Sequence, residues 1–355
     1  MAQLSIHLSA IKANYDLLKA RVGNACDVAG VVKANAYGLG VSRVAGALRD
    51  AGCTTFFAAT LPESIELRML LGASPTIAML NGFAPQDAEL YHENTITPVL
   101  NDIEQVNAYQ RFSSAQNTHM PAIAHIDTGM NRLGIHPGDM SADMFDGLNI
   151  RALMSHFISS EEKESPLNPK QNKAFQTIVS AFPAMPKSLC NSAGIFLSDD
   201  YHYDMVRPGM ALYGLNPTPY AANPMHDVVT LDAKILQIHS VRKNETAGYN
   251  ATYRFEKDSA VAIVDIGYAD GLFRKTSNTA NLSYNGIACP IRGNVSMDLT
   301  IIDLANIPES QMPKTGDMVE VIGPNQSADD LARDAQTIGY EILTSLSRRF
   351  ERNYT

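Results

Sequence analysis

The sequence predicts an α/β barrel joined to a β-domain. An N-terminal (β/α)8 barrel of the TIM type is expected over residues 1–222, and a mostly antiparallel β-domain with a closing helix over residues 223–355. Three observations carry this. Strand-length apolar runs alternate with helical patterns through about the first 210 residues. A Pro-containing stretch, NPTPYAANP, then reads as a linker. Beyond it the hydrophobic period shortens to two, the pattern of strands with one buried face.

The expected barrel strands are Asp27–Val32, Thr55–Ala59, Thr76–Leu80, Thr95–Leu100, Ala122–Asp127, Ile150–His156, Lys187–Cys190 and Tyr203–Val206. Helix-like segments such as Val41–Asp50, Glu63–Leu71, Ile103–Arg111 and Lys170–Ala181 lie between them. Parallel strands need crossovers and helices supply them, so eight such units in series suit a closed barrel, with a doubly wound sheet as the alternative. In the second half VVTLDAKILQIHSV, SAVAIVDIG, TIIDL and DMVEVIG read as strands. Helical patterns at Ser327–Asp334 and Tyr340–Phe350 close the chain.

A length of 355 residues suggests two domains, and 45% hydrophobic with 18% charged residues is an ordinary globular composition. The formal charge of −9 gives no electrostatic reason to bind nucleic acid or an anionic membrane. The opening MAQLSIHLSA has no basic region followed by a long apolar run, and no stretch has the length of a membrane span, so a cytoplasmic protein is expected. Cys26, Cys53, Cys190 and Cys289 are widely spaced, with no C-x-x-C pair, so buried reduced thiols are expected rather than a zinc site or disulfides. Gly38-Leu39-Gly40 lacks the third glycine of a dinucleotide fingerprint, and Gly129 to Gly134 is not followed by Lys-Ser or Lys-Thr.

In a barrel of this kind the chemistry gathers at the C-terminal ends of the strands. Lys33 ends the first expected strand beside Val31 and Val32, where desolvation lowers an amine toward the range of a Schiff-base or general-base lysine. A snorkelling strand-end lysine is the plain alternative. Arg132 follows the fifth strand, His156 ends the sixth, Asn191 and Ser192 follow the seventh, and Arg207 follows the eighth. Each alone has a bland explanation, whereas their common strand-end position is what a shared site requires. Tyr37, Ser192 and the backbone around Gly209 offer hydroxyl and N–H donors to a phosphate without a P-loop.

Seven segments, in order, resemble those of the alanine racemase family, whose fold joins a barrel to a β-domain: VVKANAYG, DTGMNRLG, NSAG, VRPGMALYG, IGYADG, NVSMD and YEILTSLSRR. The resemblance covers nearly the whole chain. It implies that Lys33 holds pyridoxal 5'-phosphate covalently, with Tyr37, Asn191, Ser192, Gly209, Met210 and Tyr340 around the cofactor and Arg207 facing its pyridine nitrogen. Arg132 would sit near the phenolic oxygen and the substrate carboxylate, and Met297 would meet the substrate through its main chain. His156 would link Arg207 to Tyr268. The implied reaction interconverts L- and D-alanine with two bases on opposite faces, Lys33 for the D-isomer and Tyr268 for the L-isomer. An ordinary phenol titrates near 10, so the relay through His156 and Arg207 has to stabilise the tyrosine as a base. The family pairs chains head to tail, so a homodimer with shared sites is implied.

Four positions depart from the family's usual pattern. Leu39, Ser296 and Asn131 look peripheral. His125 stands where many members have a carbamylated lysine that steadies the arginine corresponding to Arg132, and histidine cannot form a carbamate, which leaves another anion, a water or His125 itself for that task. Amino-acid decarboxylases of related fold place a carboxylate where Arg207 stands, and a barrel-only carrier of the cofactor would leave residues 221–355 and Tyr268 unexplained. A racemase of serine or another small amino acid is the runner-up. No metal, nucleic acid or membrane is expected as a partner.

Overall fold

The computed structural model describes residues 2–141 and 143–355. They form two compact units, one made of Ile11–Ala36 with Gly40–His226, the other of the residues up to Ala10, Tyr37–Leu39 and Asp227–Thr355. Strand β1 (Gln3–Ile6) opens the chain and belongs to the second unit.

The first unit is the barrel. Its strands are β2 (Asp27–Val28) and β3 (Gly30–Val31), then β4 (Thr55–Ala58), β5 (Thr76–Met79), β6 (Ile96–Leu100), β7 (Pro121–His125), β8 (Asn149–Met154), β9 (Lys187–Ser188) and β10 (Met205–Val206). From β3 to β9 each strand pairs in parallel with the next. Asp204 N donates to Lys187 O at 3.0 Å and Arg207 N to Cys190 O at 2.9 Å, carrying β10 alongside β9. β10 pairs in parallel with β2, and β2 runs on through Ala29 into β3, so the ring closes. All five residues of β6 are buried, as are Phe56, Phe57 and Ala58 of β4, because strands with side chains facing both lumen and helix layer are apolar on both faces.

The surrounding helices start where the sequence caps them. Thr60 precedes helix Leu61–Leu71, and its hydroxyl accepts from Glu63 N. Asp102 caps helix Ile103–Ala115 by accepting from Gln105 N at 2.8 Å.

The second unit is built on the 13-residue strand β11 (Val229–Val241). With β12 (Thr246–Ala247), β13 (Tyr253–Arg254), β14 (Ser259–Val264), β15 (Asn281–Tyr284), β16 (Ile287–Pro290), β17 (Thr300–Asp303), β18 (Met318–Ile322) and β19 (Arg352–Tyr354) the strand set is complete for the described residues. The main sheet runs β16-β15-β18-β11-β1-β19, with β14 on the far half of β11 and β17 beyond it. Register shifts near Leu231 and Ile235 mark irregularities that let one strand serve two sets of partners. Every pairing in this unit is antiparallel except that of β1 with β19.

Two features differ from the sequence expectation. β1 lies in the β-unit, not in the barrel to which residues 1–222 are assigned: Leu4 and Ile6 are buried as it pairs with β11. The final helix ends at Ser345 rather than reaching Phe350, since Leu346 is extended and Ser347 N donates to Asp270 O at 3.2 Å. Among the described residues no helix is long and apolar enough to cross a membrane, and no His, Cys, Asp or Glu cluster is arranged to hold a metal ion. All four cysteines are buried and unbonded to one another, and burial pushes their thiols up, Cys26 to about 12 and Cys53 to about 11.

Arg68 staples the end of the barrel at which the strands begin. Its guanidinium donates to Asn94 O, Gly72 O, Pro75 O and Thr95 O at 2.6–3.0 Å, joining the turns that enter β5 and β6. Methionine in its place keeps the apolar stem and leaves these carbonyls without their charged donor. Arg68→Met is expected to lower unfolding free energy by about 2 kcal/mol in urea titration. Activity per folded molecule should stay unchanged, because Lys33, His156 and Arg207 stand at the other end of the strands.

Candidate active site

Lys33, Arg132, His156, Asn191, Ser192 and Arg207 all stand at or just beyond the C-terminal ends of barrel strands, as their sequence positions require. Lys33 is half-buried and has no hydrogen-bond or ion-pair partner among the described residues. Burial, and then the charge of Arg132, hold its amine below the usual lysine range, while Glu63 opposes them. The chain leaves Lys33 in an unusual way. Ala34, Asn35, Ala36 and Tyr37 all have φ between 53° and 55°, a left-handed turn without glycine. Such backbone costs roughly 1–2 kcal/mol per residue and needs external support. Asn35 gives part of it, its Oδ1 accepting from Val41 N at 2.8 Å and its carbonyl from Gly40 N at 3.0 Å.

Arg207 is only 4% exposed. Its Nη1 donates to Ser188 Oγ, and its Nη2 donates to Ser155 O at 2.5 Å and lies 3.4 Å from His156 Nδ1. Nε has no partner among the described residues. Burial draws the guanidinium down to about 10, so it keeps its charge at neutral pH. A guanidinium only donates, so His156 Nδ1 is the acceptor and the ring proton sits on Nε2. Burial first, then Arg207, Arg132, His125 and Lys33, hold His156 well below the ordinary histidine range and keep it neutral.

The tautomer of His125 is fixed by Asn101. Asn101 Nδ2 donates to Leu80 O and Val99 O, both at 2.9 Å, which turns Oδ1 toward His125 Nδ1 at 2.8 Å. An amide oxygen only accepts, so Nδ1 carries the proton and Nε2 keeps a lone pair. Burial, Arg207 and Arg132 lower His125 to about 4, against a smaller opposing effect of Asp127. The ring is a neutral acceptor under the influence of two arginines.

Arg132 is exposed on a loop built by Asp127, whose carboxylate accepts from Gly129 N and Met130 N at 2.8 Å and from Asn131 N at 2.9 Å. Ser192 is buried, and its Oγ accepts from Gly209 N at 2.9 Å and Ala211 N at 3.2 Å, so its own proton is free to point elsewhere. Gly209 and Met210 open the short turn Met210–Tyr213. Asn191 Oδ1 is engaged by Ser160 Oγ at 2.8 Å and Gly194 N at 3.0 Å, which makes its side chain a builder of the loop.

The remaining residues lie in the β-unit. Tyr37 meets Tyr340 edge to face, with ring centroids 6.4 Å apart. Tyr268 is 44% and Met297 55% exposed, and their loops are stitched together by Tyr268 N donating to Ser296 O at 3.0 Å and Ala269 N to Met297 O at 2.9 Å. Only glycine fits at 267, because a Cβ there would come within 2.4 Å of Met297 O and Ser296 O. Asp270 accepts from Gly267 N at 3.0 Å, and Arg349 bridges Asp270 at 3.2 Å and Asp298 at 2.6 Å.

Sequence reasoning missed Glu63, Asn101, Asp127, Asp270 and Arg349. Two of these had a signal: T-x-x-E at Thr60–Glu63 resembles a capping box, and Asp127 two residues before Gly129 suits an Asx turn. The others act through contacts distant in sequence.

Comparison with known proteins gives the family. Residues 6–217 match the family described as "Alanine racemase, N-terminal domain" and residues 228–354 that described as "Alanine racemase, C-terminal domain". A protein of Mesorhizobium japonicum named "Alanine racemase, catabolic" is 42% identical, over 99% of this chain and 93% of its own length. An alanine racemase of Acidiphilium cryptum is likewise 42% identical, over 98% and 97%. Among solved structures, alanine racemase from Bartonella henselae with covalently bound pyridoxal phosphate superposes with a TM-score of 0.94 at 37% identity, covering 100% of this chain and 99% of that one. The biosynthetic enzyme of Pseudomonas aeruginosa gives a TM-score of 0.91 at 31% identity, over 100% and 99%. With both domain families matched in order along one barrel and one β-unit, the chain belongs to the alanine racemase family.

Proposed function

We propose that this protein interconverts L- and D-alanine with pyridoxal phosphate, with the barrel unit, Ile11–Ala36 and Gly40–His226, as the cofactor domain and the β-unit contributing the second base. The observation that carries the reading is Lys33: a half-buried amine of lowered basicity, without a partner, at the same strand ends as the buried Arg207. The residues fit the cofactor. Lys33 offers the amine, the Ser192 hydroxyl, with the backbone at Gly209 and Met210, suits a phosphate, and Arg207 Nε is a buried donor for the ring nitrogen. Tyr37, Asn191 and Tyr340 complete the surroundings of the cofactor.

Pyridoxal phosphate held there supplies the electron sink that makes the α-proton of bound alanine acidic. This chain's groups do the rest. Lys33, its basicity lowered by burial, takes or returns a proton on one face. Tyr268 does so on the other, and His156, neutral with its proton on Nε2, is a donor suited to a phenolate. Arg207 fixes that tautomer from behind. Arg132 binds the substrate carboxylate, and the main chain at Met297 borders the substrate. Neutral His125, with its Nε2 lone pair, takes over the support of Arg132 without a negative charge.

Tyr268 belongs to the other unit, and we infer that in a head-to-tail homodimer the partner subunit's Tyr268 faces Lys33. Family membership and the exposure of Tyr268 and Met297 support this reading.

Purified protein is expected to be yellow and to convert L-alanine to its D-isomer by chiral chromatography. Lys33→Ala should lose both the visible band and activity, and a wild type that stays colourless with added cofactor would refute the assignment. His125→Phe removes the acceptor near Arg132 and should raise KM for alanine about tenfold with a smaller change in kcat, as for a lost hydrogen bond to a charged group. Unchanged KM would free Arg132 from His125. Mixing inactive Lys33→Ala and Tyr268→Phe chains under subunit exchange should restore about a quarter of wild-type activity, since half the dimers are mixed and each holds one intact site. A mixture that stays inactive despite exchange would put both bases in one chain.

A further inference from the structure

Glu63 lies near the start of helix Leu61–Leu71 and grips two strand ends at once. Its Oε1 accepts from Ala34 N at 2.8 Å and its Oε2 from Ala59 N at 2.9 Å. Ala34 directly follows Lys33 and begins the left-handed turn, and Ala59 directly follows β4, the neighbour of β3 in the barrel. The other supports of that turn act further along: Ala36 N donates to Val32 O at 2.8 Å, and Asn35 receives Gly40 N and Val41 N. At Ala34 itself the described support is the carboxylate of Glu63.

We infer that Glu63 is a positioning residue for Lys33: by holding the N–H groups of Ala34 and Ala59 in one two-pronged grip, it fixes the strained turn and so the direction in which the Lys33 amine leaves its strand. This rests on the reading of Lys33 as the cofactor lysine. A run of left-handed non-glycine residues persists only where the surroundings over-determine it. Two acceptor atoms on one rigid carboxylate do this for two amides, whereas glutamine would offer one acceptor and turn its NH2 toward the other N–H. Helix Leu61–Leu71 supplies the rigid base, with Thr60 Oγ1 accepting from Glu63 N at 3.5 Å. Glu63 is also near enough for its charge to act on Lys33.

The test compares Glu63→Gln with wild type. Hydrogen–deuterium exchange in the peptide spanning residues 33–40 should quicken about tenfold, and cofactor dissociation constant should rise about tenfold, the scale of one lost charge-assisted bond. For alanine, kcat should fall by a similar factor while KM stays within about threefold, because substrate binding is left in place. Adding Ala34→Gly, which makes left-handed backbone easy at the first strained position, should return at least half of the lost cofactor affinity. Exchange and cofactor affinity matching wild type in Glu63→Gln would overturn the proposal. So would loss of affinity that Ala34→Gly does not relieve, which would assign Glu63 to helix stability alone. Should Glu63→Gln not fold, the double variant is read in its place, and its failure to fold overturns the proposal too. Borohydride trapping followed by peptide mapping serves as the separate check: wild-type protein without cofactor on Lys33 would sink the reading of the lysine, not that of Glu63.

Discussion

The constraint on which the site depends is the burial of a full positive charge, that of Arg207, at the end of the barrel strands. An isolated charge in low dielectric is costly, and a guanidinium can be kept there only if carbonyl and hydroxyl oxygens surround it. Ser155 O, Ser188 Oγ and, at 3.5 Å, Leu189 O do so from the ends of β8 and β9. These strand ends are therefore where they are partly because Arg207 needs them. Burial is the leading cause that draws His156, His125 and Lys33 toward their neutral forms; Arg207 and then Arg132 add to it at the two histidines, and Arg132 at Lys33. Of the five basic side chains gathered there, Arg207 keeps its charge and the two histidines are neutral. Two carboxylates of the region, Glu63 and Asp127, have their oxygens occupied by backbone N–H groups. What results is a setting suited to an anionic ligand, with two neutral imidazoles and an amine of lowered basicity.

The direction of each hydrogen bond then follows from groups that can only donate or only accept. Arg207 sets the tautomer of His156 one way, and Asn101, pinned by its own two donations, sets that of His125 the other way. One imidazole offers a proton and the other a lone pair, from the same residue type. A carbamylated lysine would bring a second negative charge toward Arg132, whereas His125 brings a dipole. In the proposed site the arginine then keeps more of its field for a substrate carboxylate, at the cost of a weaker hold on its own position.

Much of this was legible in the sequence because a parallel barrel fixes where strand ends lie. Lys33, Arg132, His156, Ser192 and Arg207 could be placed by counting strands, and the runs of buried residues that form them are continuous enough to count. β1 could not be placed that way, since QLSI is short and its partner β11 begins 223 residues after Ile6, at Val229. The hairpin of β15 and β16 carried its signal openly in Asn285-Gly286, both with positive φ. Supporting groups were harder. Glu63 looks from sequence like a helix cap, and nothing local shows that its carboxylate reaches back across 29 residues to Ala34. Asn101 and Arg349 likewise act on residues far away in the chain.

The turn after Lys33 shows why strain is tolerated where glycine would seem the simpler answer. Glycine at residues 34 to 37 would take up the left-handed backbone at little cost, yet it would remove what those side chains do. Asn35 caps the next helix through Val41 N, and Tyr37 brings a ring against Tyr340. A flexible glycine run would also let Lys33 swing. Residues that resist the conformation, held in it by Glu63 and Asn35, have few neighbouring wells to visit once the grip closes, so the lysine leaves its strand in one direction. The stability given up in that turn is returned as definition at the one amine on which the proposed chemistry depends.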